Sequence, residues 1–128
     1  MTGPPDIVRA WLEKASHDLT AARYLLESGD SEALDAAVFH AQQCAEKSLK
    51  TALVFHSVDP PRTHDLVVLM RLVPGSPPSV SLERLASLNR HAVESRYPGL
   101  WEAVSRIEAD EAVADAALLY EWARSVVA

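Results

Sequence analysis

Apolar positions recur every three or four residues along most of the chain, the spacing of one helix face. Trp11, Ala15, Leu19, Ala22 and Leu26 mark a first helix. Leu34, Ala37, Ala41, Ala45, Leu49, Ala52 and Phe55 continue the same period in a second. A short third helix places Leu66, Leu69 and Met70 inward, with Thr63 as its cap and Pro74 as its stop. A fourth begins near Ser81, carries Leu82, Leu85, Leu88 and Ala92, and ends before Pro98. The last begins near Asp110, with Val113, Ala116, Leu119, Ala123 and Val126 in phase. Glycine and proline occur only at 3–5, 29, 60–61, 74–78 and 98–99, so the runs between them are unbroken. Asp30 or Ser31 is the expected cap of the second helix, and Gly29 follows the end of the first. No strand-like alternation interrupts this pattern. The prediction is an all-α, up-and-down helical bundle of four long helices plus one short helix.

The 128 residues fit one domain spanning 1–128. A chain of this length buries ~65–70% of its extended surface, enough for a real core. Apolar residues are 48% and charged residues 23%, a globular balance that excludes a disordered chain. The single cysteine, Cys44, excludes an internal disulfide and a four-thiol zinc site. No apolar run approaches the ~18–20 residues of a membrane span. The first residues lack a basic, apolar leader, so the expected location is cytoplasmic.

Net charge is −6, but it is unevenly distributed. Residues 1–61 carry 5 cations and 9 anions, net −4; residues 62–106 carry 6 and 4, net +2; residues 107–128 carry 1 and 5, net −4. All six central cations are arginines, the side chain best shaped for phosphate or carboxylate. That stretch is the expected site of an anionic ligand.

Four groups of residues can carry chemistry. Gln42, Gln43, Glu46, Lys47 and Lys50 form a polar block on the second helix, read either as a solvated stripe or as a polar groove between helices. His40 and Cys44 stand four residues apart, but two ligands are too few for a metal, and no metal or other cofactor is expected. Thr63, His64 and Asp65 open the third helix, where His64 beside Asp65 is a candidate general base. In the fourth, Arg84 and His91 are seven residues apart on one face, as are Arg90 and Tyr97 if the helix persists. An arginine to hold phosphate and a histidine to move a proton are what ribonuclease chemistry requires. A glycine-rich phosphate loop, a serine nucleophile elbow and paired-cysteine zinc spacing are all missing from the sequence.

Taken in order, these blocks resemble a known family. Trp11, Ala15, Asp18-Leu19, Ala22 and Leu26, then Phe39-x-x-Gln42-Gln43-x-x-Glu46-Lys47-x-x-Lys50, then Arg62-Thr63-His64-Asp65-Leu66, then Arg96-Tyr97-Pro98 are similar to the HEPN domain, over roughly 7–127. The resemblance implies a helical bundle, commonly homodimeric, that pairs with a minimal nucleotidyltransferase as a toxin–antitoxin unit. It implies either binding of RNA or a nucleotide, or metal-independent RNA cleavage through an Arg-x4–6-His motif at the dimer cleft. Arg84 and His91 meet that spacing, and Arg84, Arg90 and His91 are the candidate catalytic residues. Aligned instead on Tyr97 as the motif tyrosine, the arginine position holds Arg90 and the histidine position Ser95. That register keeps the phosphate clamp and drops the imidazole, so binding is the expected activity. Arg90, Arg96, Tyr97, Lys47, Lys50 and His64 are the candidate RNA- or nucleotide-binding residues. A ribonuclease toxin and a non-catalytic helical adaptor are the alternatives.

Overall fold

A computed structural model describes residues 5–75, 78–94, 97 and 102–128. Five α-helices form in chain order: α1 (Pro5–Glu27), α2 (Leu34–Phe55), α3 (Leu66–Leu72), α4 (Leu82–Glu94) and α5 (Arg106–Val127). A single 3₁₀ turn, Ser31–Ala33, leads into α2, and no strand occurs among the described residues. The all-helical bundle anticipated from the sequence is what forms. No helix among the described residues is long and apolar enough to cross a membrane.

Local signals explain most boundaries. Gly29 adopts a φ of 74°, a left-handed conformation that suits glycine just past the end of α1. Asp30 accepts a hydrogen bond from the Glu32 amide and so caps the 3₁₀ turn rather than α2 itself. The α3 cap is Asp65, whose carboxylate accepts from the Val67 amide; Thr63 instead accepts from the Asp65 amide one step earlier. Helix α5 starts four residues before the expected Asp110. Ser105 and Glu108 form a capping box there, each side chain accepting from the other residue's backbone amide.

Helix α2 is the centre of the molecule and packs against α1, α3, α4 and α5. Its neighbours bury the expected stripes: Ala15, Leu19 and Ala22 from α1, Leu66 and Leu69 from α3, Leu85, Leu88 and Ala92 from α4, and Ala116 and Leu119 from α5. Alanines at these contacts let the long helices approach closely, and leucines from α2 fill the space between them. Leu82 departs from its expected stripe and stays exposed in the first turn of α4.

Candidate functional site

The polar block of α2 is not a solvated stripe. Gln42, Glu46 and Lys50 are buried, together with Ser48 and Thr51. Burying charge is unfavourable unless it is paired and hydrogen-bonded, and the structure satisfies that requirement in two clusters.

The first cluster joins α2 to α1. Asp18, nearly buried, accepts from Lys47 Nζ at 2.5 Å and lies 3.0 Å from His40 Nδ1. The second joins α2 to the segment before α3. Glu46, only 4% exposed, accepts from Lys50 Nζ at 3.0 Å through one oxygen and meets His64 Nδ1 at 2.8 Å through the other. Lys50 Nζ also lies 5.7 Å from the centre of the Trp11 ring, close enough for a cation–π contact. The ammonium groups of Lys47 and Lys50 therefore face carboxylates inside the bundle.

His64 is held from both sides of its backbone. Gln42 Nε2 donates to the His64 carbonyl at 2.8 Å, and Gln43 Nε2 donates to Gln42 Oε1 at 2.8 Å. One residue on, Asp65 accepts from Asn89 Nδ2 at 2.9 Å while Asn89 Oδ1 accepts from the Leu66 amide at 3.2 Å. This ties the start of α3 to α4. The partner of His64 is thus Glu46, eighteen residues away, rather than the adjacent Asp65. A pocket of about 430 Å³ opens beside this latch, between α2, the segment before α3, and α4. Phe39, Ala92 and Val93 supply its apolar wall; Gln42, Gln43, His64, Asn89 and the carboxylate of Asp65 supply polar edges.

The fourth helix presents its candidate residues to a different place. Arg84, Arg90 and His91 line a smaller pocket of about 190 Å³ against α5, facing Glu108, Glu111 and Asp115. Arg84 Nε donates to Asp115 Oδ2 at 2.9 Å, and Asp115 is buried. Its hydrogen bond to Asp115, helped by that carboxylate's charge, raises the Arg84 pKa further above its ordinary value. His91 Nε2 sits 3.2 Å from Glu108 Oε2. Arg90 is exposed and makes no ion pair or hydrogen bond among the described residues. Tyr97 is 55% exposed. Arg96 and Ser95 lie outside the described residues.

Two arginines, a histidine and three carboxylates thus share one pocket. The net-positive stretch read along the chain is balanced in space by the acidic last helix. The candidates of the sequence fall in three places: His64 at the larger pocket, Arg84, Arg90 and His91 at the smaller, and Lys47 and Lys50 in the buried ion pairs. Phe39 and Asn89 are pocket residues that the sequence does not mark as site candidates. Phe39 is visible there only as part of the family block, and Asn89 has no signal, because its role depends on where α3 begins. Cys44 is buried, and burial pushes its thiol up to about 12, so it is not a nucleophile or thiolate ligand. No group of three or more potential metal ligands occurs among the described residues.

Residues 8–126 match the HEPN domain family. Two solved structures are similar over nearly their whole length. One is ST0689, an archaeal HEPN homologue, 29% identical, with 94% of this chain and 98% of that one covered and a TM-score of 0.73. The other is TT1696 from Thermus thermophilus, 28% identical over 93% and 97% of the two chains, with a TM-score of 0.79. No curated protein matches the chain in sequence.

Proposed function

This chain belongs to the HEPN domain family, and from that footing we propose that it binds RNA or a nucleotide, as a homodimer working with a minimal nucleotidyltransferase partner. The observation that carries the reading is the pocket between α2, the segment before α3, and α4. It has an aromatic wall in Phe39 and amide and imidazole edges in Gln43, Asn89 and His64. Those are the elements a flat, polar-edged base requires: a face to stack on and groups to meet its rim. Arg90 and Arg96 are the arginines assigned to phosphate. Arg90 is exposed and without an ion partner among the described residues, whereas Arg84 and His91 already face Asp115 and Glu108. That pairing favours a binding role for α4 over RNA cleavage by Arg84 or Arg90 with His91. Lys47 and Lys50 contribute by holding α2 rather than by meeting phosphate. The partner and the dimer follow from the family resemblance.

The test is fluorescence anisotropy with a labelled single-stranded oligoribonucleotide. Loss of one base–aromatic contact is worth ~1–3 kcal/mol, so Phe39→Ala is expected to weaken binding by roughly five- to a hundredfold. Arg90→Ala combined with Arg96→Ala is expected to weaken it further and to flatten its salt dependence. Unchanged affinity in both variants removes this site. Sedimentation velocity reports the dimer, and co-purification with a co-expressed minimal nucleotidyltransferase reports the partner.

A further inference from the structure

We propose that the pocket between α2, the segment before α3, and α4 selects guanine among the bases, with Asp65 and Gln43 accepting from the guanine N1–H and 2-amino edge. This rests on the binding reading above and names the base that its site takes.

The polar atoms around this pocket largely engage one another, and those left open are biased toward acceptors. Asp65 Oδ1 accepts from the Val67 amide and from Asn89 Nδ2, both at 2.9 Å, and Oδ2 has no partner among the described residues. Gln42 donates to the His64 carbonyl and accepts from Gln43 Nε2, which leaves Gln43 Oε1 open. His64 Nδ1 lies 2.8 Å from Glu46 Oε1. A carboxylate only accepts, so Nδ1 carries the hydrogen, and Nε2 of the neutral ring is a third open acceptor. The donors that remain on these side chains are the second hydrogens of the Gln42, Gln43 and Asn89 amides.

The open acceptors are also fixed in place. An amide of α3 and an amide of α4 hold the Asp65 carboxylate, and Gln42, itself anchored on the His64 backbone, holds Gln43. Little side-chain freedom is lost when a ligand meets groups held in this way. The lining contains one carboxylate and no lysine or arginine. Such a pocket repels a phosphate and suits an uncharged, planar group, so the base enters and the phosphates stay outside.

Guanine alone among the four bases sets two donors side by side, N1–H and the 2-amino group, with the O6 acceptor next to them. Adenine and cytosine place a bare ring nitrogen beside their amino group, and uracil flanks its single N–H with two carbonyls. Each of those edges turns a lone pair toward Asp65 Oδ2 or Gln43 Oε1. Guanine gives its hydrogens to these two oxygens and takes an amide hydrogen at O6, with Phe39 as the stacking face. A hydrogen bond to a charged acceptor is stronger than a neutral one, and a lone pair facing a carboxylate is unfavourable, so selection works by attraction and by rejection.

Asp65 also caps α3, but through Oδ1. The two roles use different oxygens, and Asp65→Asn separates them. Asparagine caps a helix about as well as aspartate, and the change puts an amide NH₂ where Oδ2 stands.

The experiment is fluorescence anisotropy of the full chain with a labelled oligouridylate carrying one central guanosine, compared with strands carrying inosine, adenosine or xanthosine there. Phosphates and length are constant, so differences report the base. The guanosine strand should bind about tenfold or more tighter than the adenosine strand, and inosine, which lacks the 2-amino group, about three- to tenfold more weakly than guanosine. Asp65→Asn should weaken guanosine binding about tenfold and strengthen xanthosine binding, whose C2 carbonyl accepts from the new amide, with circular dichroism unchanged. Loss of a cap would not produce that reversal. If Asp65→Asn unfolds, Gln43→Met decides, since it removes Oε1 and should shrink the guanosine preference about three- to tenfold. Equal binding of all strands overturns the guanine assignment and leaves the binding reading standing. A guanosine preference that survives these substitutions also overturns it. Absence of binding to every strand removes both.

Discussion

The Nε2 atom of His91 on α4 lies 3.2 Å from Oε2 of Glu108 in the first turn of α5. The same carboxylate accepts from the Ser105 amide through its other oxygen. One side chain therefore begins a helix and fastens its neighbour. His91, a candidate catalytic residue by sequence, stands in a helix-to-helix tie.

That tie predicts acid sensitivity. The Glu108 carboxyl is held below its ordinary value, first by the backbone hydrogen bond from Ser105, against a smaller opposing effect of burial, with the Ser105 hydroxyl, His91 and Arg90 adding to the lowering. A carboxyl lowered on folding contributes stability that is complete above its unfolded value and lost as pH falls through the folded one. Glu108→Gln should cost about 1 kcal/mol at neutral pH, the usual scale of a cap, and the gap to wild type should close in strong acid. Urea titrations at both pH values measure it; a gap that persists in acid excludes the carboxylate as its source.

Arg84 and Arg90 should separate cleanly. Arg84→Ala strands the buried Asp115 and should lower stability by about 1–2 kcal/mol. Arg90→Ala touches no ion pair and should stay within about 0.5 kcal/mol of wild type. Thermal unfolding of the two variants decides the matter, and equal losses would mean that Asp115 does not depend on Arg84.

Lys50→Ala leaves Glu46 buried with the His64 contact alone and takes a cation from the Trp11 ring. The expected loss is about 3 kcal/mol, read from chemical denaturation. Lys50→Met should fare better than alanine, because it keeps the apolar stem packed.

Cys44 should be silent toward thiol reagents in the native protein. Its side chain is fully buried, with Sγ 3.8 Å from the Ala116 carbonyl oxygen on α5, and its thiol is pushed up to about 12. Iodoacetamide at mildly alkaline pH should label it only after denaturation. Rapid labelling of folded protein would show that α2 and α5 separate readily.

The helices are legible because each long one repeats a single period, and that period is a local property. Their starts are less so. Ser105-x-x-Glu108 is a capping signature, yet Asp110 draws the boundary because it opens the apolar stripe of α5. Ser57, just past α2, takes a φ of 59°, where glycine is the residue expected, and so gives no stop signal. The site is harder to read. Charges counted along residues 62–106 suggest a positive face, but Asp115 and Glu108 return on α5 to meet Arg84 and His91. Glu46 and His64 belong to separate blocks, and nothing in their spacing says that a loop folds one onto the other.

The latch around His64 has a consequence for how the molecule opens. Helix α3 has seven residues, too few to persist alone in water. Its start is borrowed: Gln42 on α2 holds the carbonyl before it, and Asn89 on α4 holds its first amide and its cap. Hydrogen exchange should therefore find the α3 amides opening together as one unit, ahead of α1, α2 and α5. Cutting either tether, with Gln42→Ala or Asn89→Ala, should speed exchange across all of α3 while the long helices keep their protection.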